Sequence, residues 1–273
     1  MTIAAGFVVS DGVLLCADTL WSDGETKDYR DKIFSWHGKR AVVSFAVAGN
    51  SDNARSTVDE CRVALQASRK TTLSSPDVIR IIKPVIRRAW TSHVDSRPWE
   101  EREVAMYQLL IAISASAQAP RLFRCTGTTP AAVDSFECVG SGKPLARYCI
   151  ESSYRRNLTV DEAAVLGILA LAATKQHMDG IGGKSQFTVV RKGFASGIVP
   201  HDVNQSEHLA LEYKRRATNL LLDIADGQLD EDELRERILE FSNFAQDLRK
   251  EWLDKASPYR ELRDCLQKRA GHP

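Results

Sequence analysis

Two β-branched, apolar runs open the chain, Ile3 to Val9 and Val13 to Ala17, with Ser10-Asp11-Gly12 between them. Asp-Gly between such runs is a strong hairpin signal. The hairpin returns the second run to the start of the first and brings Thr2 and Asp18 together. A second hairpin is predicted from Lys32 to Trp36, through His37-Gly38, and back along Arg40 to Ala48. It places Lys32 and Gly49 at one end. Asn50-Ser51-Asp52 supplies N-cap residues for a helix to about Ser68. Helical spacing of apolar residues predicts another helix from Pro76 to about Val94, with a basic face left in solvent. Leu109 to Ser114 and Leu122 to Cys125 read as strands.

The chain has 273 residues, 43% of them hydrophobic, enough for a sizeable core and an appendage. With 37 basic and 36 acidic residues the net charge is +1, which gives no electrostatic case for nucleic acid or an anionic membrane. No apolar span is long enough for a membrane helix. The apolar N-terminus lacks a basic lead and is broken at Ser10-Asp11-Gly12, so it makes a poor signal peptide. The six cysteines, Cys16, Cys61, Cys125, Cys138, Cys149 and Cys265, form no CxxC pair and read as reduced core thiols of a cytoplasmic protein. The six histidines have no metal-ligand spacing, so no metal is expected. Gly140-Ser141-Gly142-Lys143 is not a phosphate-binding loop, because Glu137 and Pro144 stand where a glycine and a hydroxyl are required. Gly182-Gly183-Lys184-Ser185 fails in the same way at Met178.

What remains is a nucleophile constellation. A threonine at a mature N-terminus carries its own general base, an α-amine that titrates near ~8. The two hairpins bring Thr2, Asp18, Lys32 and the Gly49 N–H to one sheet edge. Charged Lys32 would lower the pKa of the Thr2 hydroxyl, Asp18 would orient Lys32, and Gly49 lies where a strand meets a helix N-terminus and could receive an oxyanion. No cofactor is implied, because the base is part of the nucleophile.

These residues resemble those of proteasome β-subunits and the bacterial peptidase HslV, N-terminal-nucleophile hydrolases. Thr2, Asp18, Lys32 and Ala48-Gly49 match the family's positions in order, although the loop before Lys32 is about two residues short. Cys138-Val139-Gly140-Ser141-Gly142 resembles the family's Gly-Ser-Gly turn. Leu158 to Ala163 looks like the start of the next helix, with Thr159 as N-cap and Glu162 completing a capping box, and runs to about Met178. Asp179-Gly180-Ile181-Gly182-Gly183 resembles the family's Asp-x-x-Ser-Gly loop, with Gly182 in place of the serine, and a strand from Phe187 to Val190 follows. The Ala-Asp pair usual after Gly49 is absent.

The resemblance covers roughly residues 2–195 and implies an α+β fold, the four-layer α-β-β-α sandwich of two antiparallel sheets. It implies peptide hydrolysis through an ester on Thr2, with Ser141 and Asp179 supporting the amine, Ser22 and Gly24 pairing with the substrate main chain, and Val47 helping to form the first specificity pocket. It implies a homo-oligomeric ring acting on peptides or unfolded proteins, and leaves room for an ATP-dependent unfoldase. Only Met1 precedes Thr2, so aminopeptidase trimming would expose the nucleophile. Two other readings stay open: a catalytically inert assembly protein of the same fold, and an amidase acting on a small amide.

The tail exceeds the family pattern. A hydrolase domain over 1–200 is expected to carry a C-terminal helical extension over 201–273, with helices from Ser206 to about Ile224 and from Asp230 to about Ala256. The second bears an apolar stripe of Leu234, Ile238, Leu239, Phe241, Phe244, Leu248 and Trp252. It either packs on its own subunit or docks a partner.

Overall fold

A computed structural model of the chain describes residues 2–251 apart from 23–25, 39–40, 69, 71, 116–117 and 198–199. It divides into two compact units, residues 1–198 and 199–273.

The first unit is built from two five-stranded antiparallel sheets. Its strands are β1 (Ala4–Val9), β2 (Gly12–Asp18), β3 (Leu20–Ser22), β4 (Lys27–Tyr29), β5 (Ile33–His37), β6 (Ala41–Gly49), β7 (Tyr107–Ala115), β8 (Arg121–Cys125), β9 (Ala131–Val133), β10 (Phe136–Val139), β11 (Ser185–Arg191) and β12 (Phe194–Gly197). Its helices are α1 (Ser51–Gln66), α2 (Ser75–Trp90), α3 (Trp99–Ala105), α4 (Lys143–Glu151) and α5 (Val160–His177). One sheet has the order β10-β1-β2-β11-β12 and the other β5-β6-β7-β8-β9. Helices α1 and α2 cover the second sheet, α4 and α5 cover the first, and the sheets pack face to face, giving the α-β-β-α sandwich.

Strand alternation sorts the core into layers. Val43, Phe45 and Val47 of β6 join Leu109, Ile111 and Ile113 of β7 in a cluster with Val58, Cys61, Ile82 and Ile86 of the helices. The intervening Ala46, Ala48, Leu110 and Ala112 turn the other way and meet Val13, Leu15 and Ala17 between the sheets. Small residues there let the sheets approach closely.

Both predicted hairpins form. In the first, Ala4 pairs with Ala17 and Val9 with Gly12. In the second, Ile33 pairs with Ala46 and His37 with Val42. Asn50 caps α1 by accepting from the Asn53 N–H, and Thr159 and Glu162 form the capping box of α5. The helix expected over Pro76 to Val94 is two pieces. A capping box between Ser74 and Asp77 starts α2, which ends at Trp90, and a wider π-helical turn covers Thr91–Asp95. Elements with little periodicity were not foreseen: the three-residue pair β3–β4, the seven-residue α3, and β9 and β12.

The second unit is a helical hairpin of α6 (Pro200–Ala225) and α7 (Glu231–Glu251). Helix α6 begins six residues before the expected Ser206, with a proline at its first position, where no N–H is needed. The expected end of α7 near Ala256, with Trp252 of its stripe and Cys265, lies outside the described residues. Among those described, no helix is long and apolar enough to cross a membrane and no cluster of three His, Cys, Asp or Glu could hold a metal ion.

Candidate active site

Asp18 is the hub. It ends β2 one position past the last Thr2-side ladder pair, its own N–H donates to the Ile3 carbonyl (3.2 Å), and it has no exposed surface. Its Oδ1 accepts from Thr2 Oγ1 (3.0 Å), the Ile3 N–H (3.0 Å) and Lys32 Nζ (2.7 Å). Its Oδ2 accepts from the Leu20 N–H (3.2 Å) and the Gly182 N–H (3.2 Å). A carboxylate with donors on both oxygens is fixed in place.

Lys32 enters from the second sheet. The β5–β6 register leads it out beside Val47, whose N–H donates to the Lys32 carbonyl (3.0 Å), and the Lys32 N–H donates to Gln186 Oε1 (2.7 Å). Its side chain and that of Asp18 are fully buried. Nζ spends its three N–H groups on Thr2 Oγ1 (2.5 Å), Asp18 Oδ1 (2.7 Å) and the Leu20 carbonyl (2.5 Å). The Trp21 ring covers the ammonium with its centroid 4.8 Å away. Burial pushes the Lys32 ammonium down from 10.5 to about 8, against the pull of Asp18 in the other direction.

Thr2 is therefore gripped on both sides of its hydroxyl, which accepts from Lys32 and donates to Asp18. Its nitrogen donates to Ser141 Oγ (3.0 Å), and Ser141 Oγ donates to the Thr2 carbonyl (3.3 Å). The turn that carries Ser141 wraps closely around Thr2. The Gly142 N–H donates to the Thr2 carbonyl (3.1 Å). Gly140 has φ +95°, and a Cβ there would lie 2.4 Å from the Thr2 carbonyl oxygen, so only glycine fits. Gln108 Oε1 on β7 accepts from the Gly140 N–H (2.8 Å) and ties the turn to the second sheet.

Gly49 ends β6 exposed, with φ +90° and the backbone of Met106 and Tyr107 against its Cα. Val47 donates toward β5 and Asn50 toward the carbonyl of Met106, the residue just before β7 (2.8 Å). Ladder alternation then directs the Gly49 N–H to the β5 side, the side of Lys32. Past Lys32 the chain leaves the ladder, since the Arg30 N–H donates to the Thr19 carbonyl (3.1 Å).

Thr2, Asp18, Lys32 and Ser141 thus meet within hydrogen-bond distance, with Gly49 at the adjoining strand end. Asp179 does not join them: it is exposed, and among the described residues no hydrogen bond links it to Thr2 or Ser141. Where the family loop has a serine, Gly182 brings its backbone N–H to Asp18 instead. Val47 is fully enclosed in the core beneath α1 and α2, so a part in a substrate pocket requires that packing to open. Ser22 ends β3, paired with Lys27, and Gly24 lies outside the described residues. Sequence reasoning missed the Leu20 carbonyl, Trp21, Gln108, Gln186 and the closeness of Gly140 to Thr2. The adjacency of Leu20-Trp21 to Asp18 was a signal for the first two; the glutamines lie on distant strands and gave none.

The family model "Proteasome subunit" matches residues 2–190. Among curated relatives, the proteasome subunit alpha of Methanococcus maripaludis strain S2 is 27% identical over 180 residues, 65% of this chain and 66% of its own. The chain thus spans just under two thirds of that relative. The proteasome subunit alpha of Methanocaldococcus jannaschii is 30% identical over 65% of each chain, and the proteasome subunit beta of Methanosphaera stadtmanae is 24% identical over 70% of this chain and 87% of its own. Among solved structures, an Anbu (Gly-1) mutant from Hyphomicrobium sp. strain MC1 superposes with a TM-score of 0.68 at 16% identity, covering 80% of this chain and 97% of that one. The helical assembly of the Anbu complex from Pseudomonas aeruginosa gives 0.69 at 13% identity, covering 80% and 95%. With the sandwich fold in place and the family model spanning well over half of its length, this chain belongs to the proteasome subunit family.

Proposed function

We propose that the protein is a threonine-type peptidase of the proteasome kind, which hydrolyses peptide bonds through an ester on Thr2 once Met1 is removed. The observation that carries this is the buried triad in which Thr2 Oγ1 lies 2.5 Å from Lys32 Nζ and 3.0 Å from Asp18 Oδ1. A charged lysine and a carboxylate held without solvent around a hydroxyl cost stability and have no packing purpose.

While Met1 is attached, the Thr2 nitrogen is an amide and cannot act as a base. Its removal leaves an amine at the nitrogen that now faces Ser141 Oγ at 3.0 Å. The amine takes the hydroxyl proton, and Oγ attacks the scissile carbonyl carbon. Lys32 stabilises the developing negative charge on Oγ, and the Gly49 N–H receives the carbonyl oxygen as it becomes an oxyanion. Collapse breaks the C–N bond, and the leaving amine takes the proton back from the Thr2 ammonium. Water, deprotonated by the same amine, then hydrolyses the ester and restores Thr2. The substrate is a peptide or unfolded segment, and assembly into a homo-oligomeric ring with an ATP-dependent unfoldase would fit the family.

A second reading is a non-catalytic assembly subunit of the same fold. It draws on the preponderance of α-subunits among the relatives and on the exposed position of Asp179. Thr2→Ala separates the two. On the catalytic reading it abolishes covalent labelling by a peptide epoxyketone and leaves the oligomeric mass unchanged; labelling that survives in the variant overturns the role of Thr2.

A further inference from the structure

The two sheets meet through a layer of apolar side chains, in which Ala46, Ala48 and Leu110 of the second face Val13, Leu15 and Ala17 of the first. Apolar burial has no preferred direction, so it holds the sheets together while discriminating weakly between small sliding offsets. The proposed reaction is split across this gap. Thr2 and Asp18 lie at the end of the β1–β2 hairpin, whereas Lys32 and Gly49 lie at the end of the β5–β6 hairpin. A hydrogen bond across the gap, with its narrow range of distance and angle, can fix the offset.

Gln108 makes such a bond at the site. It lies on β7 opposite Ala48, next to the pair formed by Tyr107 and Gly49. Alternation along β7 puts it on the same side as Leu110 and Ala112, toward the first sheet. There its Oε1 accepts from the Gly140 N–H at 2.8 Å. A backbone N–H only donates, so this partner selects the oxygen of the side-chain amide. Val139 is the last residue of β10 and pairs with Ala4, and the chain then turns at Gly140 with φ +95°. The next two residues hold Thr2: Ser141 Oγ accepts from its nitrogen (3.0 Å), and the Gly142 N–H donates to its carbonyl (3.1 Å). Gly140 is thus the joint between the strand and the turn around the nucleophile, and Gln108 ties that joint to the second sheet.

The preceding residue of β7 serves the other half of the site. Tyr107 pairs with Gly49, and a Cβ added at Gly49 would lie 2.8 Å from the Tyr107 Cα. Two consecutive residues of one strand therefore border both halves. Tyr107 meets the oxyanion donor through its backbone, and Gln108 meets the nucleophile's turn through its side chain.

We infer that Gln108 is a positioning residue that sets the distance between the Thr2 hydroxyl and the Gly49 N–H by anchoring the Gly140–Gly142 turn to β7, a role that rests on the peptidase reading of Thr2. Productive geometry at a nucleophile and its oxyanion donor is demanding, and an anchor at each partner supplies it before substrate arrives.

The test uses the full chain and two variants. Gln108→Leu removes the acceptor at similar volume, and Gln108→Glu keeps an acceptor oxygen at the same reach. Gln108 is only half-buried, so both should fold, which circular dichroism checks. The first readout is labelling by a peptide epoxyketone over a range of concentrations, followed by intact mass. In Gln108→Leu the maximal rate is expected to fall roughly 10- to 100-fold, with the half-saturating concentration within about twofold of the parent, because the peptide still docks while the reacting atoms are misplaced. Gln108→Glu is expected to restore most of that rate. The second readout needs no catalysis: hydrogen exchange of the Gly140 and Gly142 amides, expected to be slow in the parent and in Gln108→Glu and on the order of tenfold faster in Gln108→Leu. A Gln108→Leu protein with the parent's maximal rate, a Gln108→Glu protein as slow as Gln108→Leu, or exchange at the turn that ignores the loss of the acceptor overturns the inference. A parent that gains no inhibitor while its turn exchange still answers to Gln108 refutes the peptidase reading and upholds the anchor.

Discussion

Replacing Gly140 by alanine isolates what the turn does to Thr2. The added Cβ would sit 2.4 Å from the Thr2 carbonyl oxygen and 3.0 Å from both its carbonyl carbon and its Cγ2. The first contact must open by roughly 1 Å to become an ordinary one, and the backbone of Thr2 has to move with it. Such a misplacement of a nucleophile costs on the order of 10²-fold in rate. Backbone strain at φ +95° adds about 1–2 kcal/mol against folding. Gly193 supplies the control: it has φ +82° with nothing within 4 Å of an added Cβ, so Gly193→Ala carries the strain without the clash. Both variants are expected to melt about 2–8 °C below the parent. The rate of labelling by a peptide epoxyketone, followed by intact mass, should be unchanged in Gly193→Ala and about 10²-fold lower in Gly140→Ala. A Gly140→Ala protein that labels within twofold of the parent would refute the claim that this turn sets the position of the nucleophile.

Other outcomes follow from the same geometry. Lys32 gives up its proton near 8 in the folded chain and near 10.5 when unfolded, so the unfolded chain binds the extra proton between those values. The sign of the linkage therefore makes stability rise with pH from about 8 to 10.5, by about 3 kcal/mol. Urea unfolding of the parent against Lys32→Met, at pH 7.5 and pH 10, isolates this from other groups; a parent-minus-variant difference that does not change with pH contradicts it. On the proposed mechanism charged Lys32 stabilises the alkoxide, so labelling should decline as pH rises through about 8, and a plateau to pH 10 would argue against that role. Asp18→Asn removes the counter-charge of a buried ammonium and is expected to cost about 3–5 kcal/mol in a denaturant titration; a loss below about 1 kcal/mol would show the pair to be unimportant for folding. Burial pushes the thiols of Cys61 and Cys138 up to about 12 and that of Cys125 to about 11, so none should react with an aromatic disulfide in the native protein within minutes at pH 8, and all should do so in denaturant.

The two N-terminal hairpins were legible because Asp11-Gly12 and His37-Gly38 punctuate β-branched runs, and the alternation of the strands fixes which ends meet. That was enough to bring Thr2, Asp18 and Lys32 to one edge and to locate Gly49. The capping residues Asn50, Thr159 and Glu162 were legible for a similar reason: short-range hydrogen bonds leave local sequence marks. Trp21 over Lys32 was not, since a three-residue strand has too few positions to show a period. The closeness of Gly140 to Thr2 depends on β10 pairing beside β1, from Ala4 with Val139 to Phe7 with Phe136, a contact between distant parts of the sequence. Asp179 illustrates the converse: a matching loop sequence does not ensure that its side chain turns inward, and here the Gly182 N–H reaches Asp18 while Asp179 faces solvent.

The central claim is that Thr2, freed of Met1, is a nucleophile with its own base. Intact mass of the purified protein before and after treatment with a peptide epoxyketone, which bonds to both the hydroxyl and the amine of an N-terminal threonine, tests it most directly. The account predicts loss of the Met1 mass followed by a gain of one inhibitor, absent in Thr2→Ala. A chain that keeps Met1 under conditions where other proteins are trimmed, and gains no inhibitor, would contradict it.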